Sequence, residues 1–295
     1  MVGENKVKKF GVIFAFLFPS LVGLIVFNII PILQSAVISF TQWDLFSAPK
    51  FIGISNYVNV FLNENSVKGL TNTVKYVVGY VPVVLVIGLI FAVFLDMKIT
   101  GVKVYRGIIF VPVVISWVVV SLIWLWLYSP DTGMINYFLS LLGIQGPAWL
   151  QNEYTAMPAV ILASIWKDMG YVTIIMLSGL QNIDEDFYES ADIDGANSLQ
   201  KLFYITIPTL SPIIFFLMVT LLISSFQIFD QVFIMTKGGP YGSTRTLVQE
   251  IYENAFQMSK VGFASAQAWV LVMIILAVTI IQNILQKRWV NYDSK

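Results

Sequence analysis

The sequence contains no cysteine and no histidine. Disulfides, thiol catalysis and histidine-based metal sites are therefore excluded, and no imidazole is present to relay protons. Lack of cysteine says nothing about redox compartment, since it fits any. Charge is scarce as well: Asp, Glu, Lys and Arg form 12% of 295 residues and cancel to a net charge of +0. That removes the basic surface of a nucleic-acid-binding protein. It also leaves too little charge to cover a soluble domain of this length. What is present instead is apolar: 57% of residues are hydrophobic, and the mean hydropathy is +0.79. These residues come in long blocks rather than at helix or strand period, and a bilayer core of ~30 Å needs about 20 apolar residues per spanning helix.

The blocks predict six spans. The first runs from Phe10 into the Ile29–Ile32 region and on towards Phe40. The others are Val74–Leu95, Ile108–Leu127, Met157–Leu180, Pro208–Phe226 and Gly262–Leu285. Lys6, Lys8 and Lys9 precede the first block, which is too long for a cleaved signal peptide and reads as a retained helix. With the N-terminus inside, Lys6, Lys8, Lys9, Lys98, Lys103, Arg106, Lys201, Lys287, Arg288 and Lys295 fall on the inner side. Lys50, Lys68, Lys75, Lys237, Arg245 and Lys260 fall outside, and Lys167 lies within a span. The excess of Lys and Arg puts both termini in the cytoplasm. No loop is long enough for a separate soluble domain, so residues 1–295 read as one membrane domain of all-α class.

The inner loop at about 181–208 is unusual. It carries six carboxylates, Asp184, Glu185, Asp186, Glu189, Asp192 and Asp194, against the single Lys201. Its pattern predicts two short helices around a bend. Asp184 caps the first, acidic residues fill its first turn where the helix dipole favours them, and Gly195 interrupts. Leu199, Leu202 and Phe203 then recur at helical spacing as an apolar face, and Pro208 suits the first turn of the fifth span. From the residues alone this is either a lever lying on the inner membrane face or a solvated acidic linker.

The residues also match a known pattern. Glu189-Ser190-Ala191, then Gly195, then Ile205 and Ile207-Pro208 resemble the coupling-loop signature of ABC importer permeases: Glu-Ala-Ala, three residues, Gly, nine residues, Ile, any residue, Leu-Pro. Ser190 and Ile207 are small or conservative departures. Asp194-Gly195-Ala196 is similar to the form common in the carbohydrate branch. Phe51–Tyr57 with Asn72-Thr73, Gly133–Asn136, Thr236–Pro240 and Gly262–Ala266 resemble other segments of sugar permeases.

The resemblance implies the type I importer fold and a bacterial or archaeal plasma membrane location. The implied partners are a second permease chain in a heterodimer, two ATP-binding subunits and an extracytoplasmic sugar-binding protein. Glu189, Ala191, Asp194, Gly195, Leu199, Leu202, Phe203, Ile205 and Pro208 would then couple to an ATPase subunit. The outer turn Gly238-Gly239-Pro240 is a candidate contact for the binding protein, or a simple tight turn. No Gly-x-x-x-x-Gly-Lys-[Ser/Thr] sequence occurs, so no phosphate-cradling loop of that kind is present and ATP with its Mg would be bound by the partner.

Ionisable residues inside a span need a reason. Lys167 and Asp168 sit near the middle of the fourth span, and Ser164, Asp168 and Tyr171 share a face at steps of four and three, bordered by Lys167. With Ser224, Ser225 and Gln227 in the fifth span these residues are the expected lining of a sugar pathway, where hydroxyls need oriented partners and ring faces stack on Tyr171 or Trp166. The other reading of Lys167 and Asp168 is pairing with the partner permease. Trp117, Trp124 and Trp126 of the third span read as packing or lipid-facing.

An ion-coupled secondary transporter is the alternative function. It would need midplane ion sites, commonly with inverted repeats, and the chain offers one mid-span carboxylate, Asp168, and no repeat. A membrane enzyme would need a nucleophile–base set or a metal cluster, and neither pattern is seen.

Overall fold

A computed structural model describes residues 6–97 and 101–291, with side chains from residue 13 onward. Lys98 and Lys295, and the side chains of Lys6, Lys8 and Lys9, lie outside the described residues. Four helical segments are long and apolar enough to cross a membrane: Ile13–Ile38, Glu64–Asp96, Ala156–Leu180 and Val261–Arg288. Two bent pairs, Val102–Val114 with Trp117–Leu127 and Ser198–Thr209 with Ser211–Phe226, raise the number to as many as six if each pair is one span. The chain packs as two compact units, one of residues up to Leu62 with Ile251–Val270, the other of Asn63–Glu250 with the residues from Leu271.

In the first unit, α1 (Lys6–Leu24) passes through π-helical turns at Ile25–Ile29 into α2 (Ile30–Ile38). A small antiparallel hairpin pairs β1 (Thr41–Gln42) with β2 (Lys50–Phe51), and α3 (Ser55–Leu62) follows. Asn56, inside the segment that resembles sugar permeases, is buried and ties this turn together. Its amide donates to the Ser39 carbonyl at 2.9 Å and the Thr41 carbonyl at 2.8 Å.

In the second unit, α4 (Glu64–Asp96) starts well before the expected Val74. Hydropathy detects only its apolar part. Its first turns are polar: Asn63 caps the helix by accepting from the Ser66 N–H at 3.0 Å, and the buried Asn72 donates to the Gly242 and Arg245 carbonyls at 2.8 and 3.0 Å.

The expected straight third span is instead two helices, α5 (Val102–Val114) and α6 (Trp117–Leu127), at 101° to each other. The break follows from Pro112 near the end of α5 and from Ser116, whose hydroxyl accepts from the Val119 N–H and starts a new helix. A short α7 (Met134–Leu141) leads to α8 (Ala156–Leu180). The coupling loop holds α9 (Glu185–Ile193) and α10 (Ser198–Lys201), then π-helical turns at Leu202–Thr206 and α11 (Ile207–Thr209).

The fifth span is also corrected. Pro208 lies in α11, ahead of a 66° bend, and the straight membrane helix is α12 (Ser211–Phe226). Pro212 has no N–H to offer the Pro208 carbonyl, which takes the Ser211 hydroxyl at 2.6 Å instead. Helices α13 (Asp230–Met235), α14 (Leu247–Tyr252) and α15 (Val261–Leu285) complete the chain. The core is built on α8, which packs along α4 and also meets α5 and α12. Its buried face is rich in small side chains, Ala156, Ala159, Ala163, Gly170 and Gly179, which let neighbouring backbones approach closely.

Candidate functional site

Within the second unit α4, α6, α8 and α12 surround a cavity of about 280 Å³. Its wall comprises Tyr76 and Tyr80 of α4, Trp117 of α6, Asp168 and Tyr171 of α8, Leu221, Ser224 and Ser225 of α12, the connecting residues 227–229 and the first two residues of α13. Five of the seven residues expected to line a pathway, Asp168, Tyr171, Ser224, Ser225 and Gln227, are thus brought together. The other two stand behind the wall. Ser164 is fully buried and donates to the Val160 carbonyl at 2.9 Å. Lys167 is buried, with its ammonium donating to the Val113 carbonyl at 3.2 Å.

Polarity at the cavity has a definite direction. The Tyr80 hydroxyl donates to Asp168 Oδ2 at 2.6 Å, fixing that carboxyl at the wall. The Ser224 and Ser225 hydroxyls donate to the Leu221 and Leu222 carbonyls at 3.0 and 2.9 Å. Their hydrogens are used, so both serines present acceptor lone pairs to a guest. Aromatic side chains in the wall are the stacked pair Tyr76 and Tyr80, centroids 5.2 Å apart, with Tyr171, Trp117 and Phe229. Helix α12 ends beside the cavity at Phe226, and irregular backbone at 227–229 runs along it. Non-helical backbone at membrane depth is tolerated where it lines such a cavity.

Two expectations about aromatics change. Trp117 lines the cavity rather than only packing, whereas Trp166 is not among the lining residues and sets its ring edge-on to Trp124 at 5.8 Å. Tyr76 and Tyr80 escape a reading of the sequence because a tyrosine in an apolar span looks like ordinary packing. Their spacing of four residues, one helical face, is the signal that was there. Among the described residues no group of three or more His, Cys, Asp or Glu is arranged to hold a metal ion.

The coupling loop forms the two helices its sequence predicts. Asp184 caps α9 by accepting from the Asp186 N–H at 3.2 Å, and Asn197 and Gln200 form a reciprocal capping box on α10. Gly195 sits between them at φ +77°, left-handed backbone that a glycine adopts without strain. The Ala196 N–H donates to the Ala191 carbonyl at 2.9 Å, and Lys201 pairs with Asp192, so the bend is braced from both sides. Within the loop, the first helix is tied to the segment leading towards α12 by a hydrogen bond of 2.9 Å between the Tyr188 and Thr206 hydroxyls. Glu189, Asp194, Gly195, Leu199 and Phe203 are exposed, while Ala191, Leu202, Ile205 and Pro208 are half-buried. Ile193 and Tyr204, 87% and 80% exposed, extend the unpartnered apolar surface beyond the residues chosen from the sequence.

At the other end of the unit the turn Gly238-Gly239-Pro240 folds on itself. The Thr236 and Thr244 hydroxyls share a bond of 2.7 Å, and the Thr244 hydroxyl also donates to the Gly239 carbonyl at 2.8 Å. Gly238 is buried against Gln249, and Gly239 and Pro240 are half-buried, so the exposed tips are the flanking Lys237 and Tyr241.

Comparison with known proteins agrees with this arrangement. The family model for the binding-protein-dependent transport system inner membrane component matches residues 84–291. The probable ABC transporter permease protein YesP of Bacillus subtilis is 38% identical over 287 residues, covering 96% of this chain and 92% of that protein. The arabinooligosaccharides transport system permease protein AraP of Halalkalibacterium halodurans is 32% identical, covering 90% and 84%. In fold, the chain is similar to one in the crystal structure of a bacterial ABC transporter involved in import of the acidic polysaccharide alginate. The TM-score is 0.87 at 23% identity, over 96% of this chain and 98% of that one. The family model spans most of the sequence and the relatives run nearly its full length: the chain belongs to the binding-protein-dependent transport system inner membrane components, as a multi-pass ABC importer permease.

Proposed function

We propose that this permease moves a saccharide, delivered by an extracytoplasmic binding protein, through a pathway it forms with a second permease chain, driven by two ATP-binding subunits that carry ATP and Mg. The observation that carries the reading is the coupling loop. It exposes carboxylates and large apolar side chains, Leu199, Phe203 and Tyr204, around a braced bend, in a chain without a phosphate-cradling sequence motif. Such a surface is suited to receive force from a nucleotide-binding partner.

In this reading Glu189 meets a basic group on the ATPase, and Ala191, Asp194 and Gly195 let the bend seat closely. Leu199, Leu202 and Phe203 fill a groove, with Ile205 and Pro208 passing the movement to the spans. Asp168, Tyr171, Ser224, Ser225 and Gln227 meet the sugar, with Ser164 and Lys167 supporting them. The binding protein docks near Gly238-Gly239-Pro240, against Lys237 and Tyr241. Both termini lie in the cytoplasm, and residues 1–295 act as one permease domain. A saccharide is favoured by the names of relatives such as AraP and the trehalose/maltose permease MalF of Thermococcus litoralis, 30% identical.

The test is ATP hydrolysis and uptake by the complex in lipid vesicles, wild type against Gly195→Asp. Space around Gly195 is open, so the variant acts through its left-handed backbone and its added charge. Stimulation by the loaded binding protein and uptake are both expected to disappear. Uptake that continues without any ATPase subunit and follows an ion gradient would overturn the reading.

A further inference from the structure

The break in the third span leaves the last carbonyls of α5 without intrahelical partners. One of them, Val113, accepts from the buried ammonium of Lys167 at 3.2 Å. The same ammonium lies 4.9 Å from the centre of the Trp117 ring, the first residue of α6, and 3.9 Å from Asp168 Oδ1. A cation at a helix C-terminus is favoured by the helix dipole, and one over an indole face by the ring quadrupole. One side chain of α8 therefore touches the end of α5 and the beginning of α6, across the bend of 101° between them.

A second contact supports the first. Gly170 lies one helical turn from Lys167 on α8. A Cβ at position 170 would stand 2.2 Å from the Ile109 carbonyl and 3.0 Å from a Val113 methyl. Only a glycine lets α5 come this close, and the close approach brings Val113 within reach of Lys167. Helix α8 thus grips α5 at two levels, Ile109 and Val113. Trp117, held beneath the ammonium, is in turn part of the cavity wall.

We infer that Lys167 is a positioning residue for transport: it latches the break of the third span and holds Trp117 in the wall of the cavity, without itself touching the saccharide. The inference rests on the reading of that cavity as the transport site and assigns Lys167 a task there. Because α5 starts shortly after the end of α4, on the side read as cytoplasmic, a latch at its far end links movement on that side to the shape of the cavity.

The experiment compares Lys167→Met and Lys167→Arg in the complete importer, and adds a chemical probe that the absence of cysteine makes possible. Saccharides transported per ATP hydrolysed should fall about tenfold in Lys167→Met, the scale set by losing one charge–dipole and one cation–π contact, while Lys167→Arg restores most of the ratio. In a second arm Ile115→Cys is labelled in membranes with a water-soluble maleimide, with and without Lys167→Met. Labelling should be about tenfold faster when the latch is gone. This arm needs neither sugar nor ATP, so it reads the latch even if the saccharide reading fails or the Met complex assembles poorly. An unchanged labelling rate overturns the latch. An Arg variant as poorly coupled as Met, with normal labelling, overturns the positioning role.

Discussion

The span Ile13–Ile38 and helix α8 are both long enough to cross a bilayer, and they solve different problems. The first has a mean hydropathy of 2.5 over its most apolar stretch, none of which is buried within the chain. The corresponding stretch of α8 reaches only 1.6 and is 56% buried. Phe16 and Phe27 of the first span are 83% and 78% exposed, whereas Ala163, Ser164 and Val172 of α8 are almost fully covered. In a bilayer the solvent is itself apolar, so large apolar side chains are satisfied by lipid, and helix–helix contact is driven by close packing of small residues and by polar groups. The first span, more hydropathic than α8, is therefore the less engaged of the two within this chain. The least hydropathic of the four unbroken candidate spans carries Asp168 and Tyr171 on the cavity side and Lys167 and Gly170 on the α5 side.

Three substitutions sharpen this contrast. Gly170→Leu should have the largest effect. Its side chain would drive into the Ile109 carbonyl, costing about 1–3 kcal/mol as an overpacked core does and separating α5 from α8. A lower melting temperature of the complex in lipid, with loss of uptake, is the expected measurement. Asp168→Ala should come next. It leaves the Tyr80 hydroxyl without its acceptor and strips the cavity of its anchored carboxylate, so uptake is expected to fall about tenfold with a smaller change in melting temperature. Gly23→Leu should be the mildest, because nothing lies within 4 Å of its place on the first span. A change of at most about 0.5 kcal/mol is expected, within the range of substitutions that touch no packed neighbour. If Gly23→Leu matched Gly170→Leu, the division between a lipid-facing and a packed helix would fail.

Much of this was legible beforehand, for identifiable reasons. Length and apolarity locate the helices at 13–38, 156–180 and 261–285 to within a few residues, and the apolar part of α4 from Val74 onward, because the bilayer demands uninterrupted runs. The coupling loop is legible from chemistry that acts locally, the Asp184 cap and the bend at Gly195, reinforced by the spacing from Glu189 to Pro208. The breaks at Ser116 and Leu210 were missed, since apolar residues continue on both sides and hydropathy carries no direction. Pro112, Ser116 and Pro212 were the local signals. Asp168 stands out as a carboxylate inside a span. Tyr80, which fixes it, does not, because their meeting depends on the packing of α4 against α8. Position on a helical wheel placed Ser164 and Lys167 near the polar stripe but could not tell the cavity side from the side facing α5. The polar start of α4, with the buried Asn72 bonded to a loop 170 positions later, likewise depends on tertiary contact.

The central claim is that the polar face of α8, and not the more hydropathic first span, borders the aqueous route. The most direct measurement uses the cysteine-free chain with Tyr171→Cys or Phe16→Cys in the assembled importer, labelled with a charged thiol reagent in membranes. Position 171 is expected to react, and to be protected during turnover with loaded binding protein and ATP. Position 16, facing lipid, should stay unreactive throughout. Labelling at 16 with none at 171, or reaction at 171 that ignores turnover, would contradict the account.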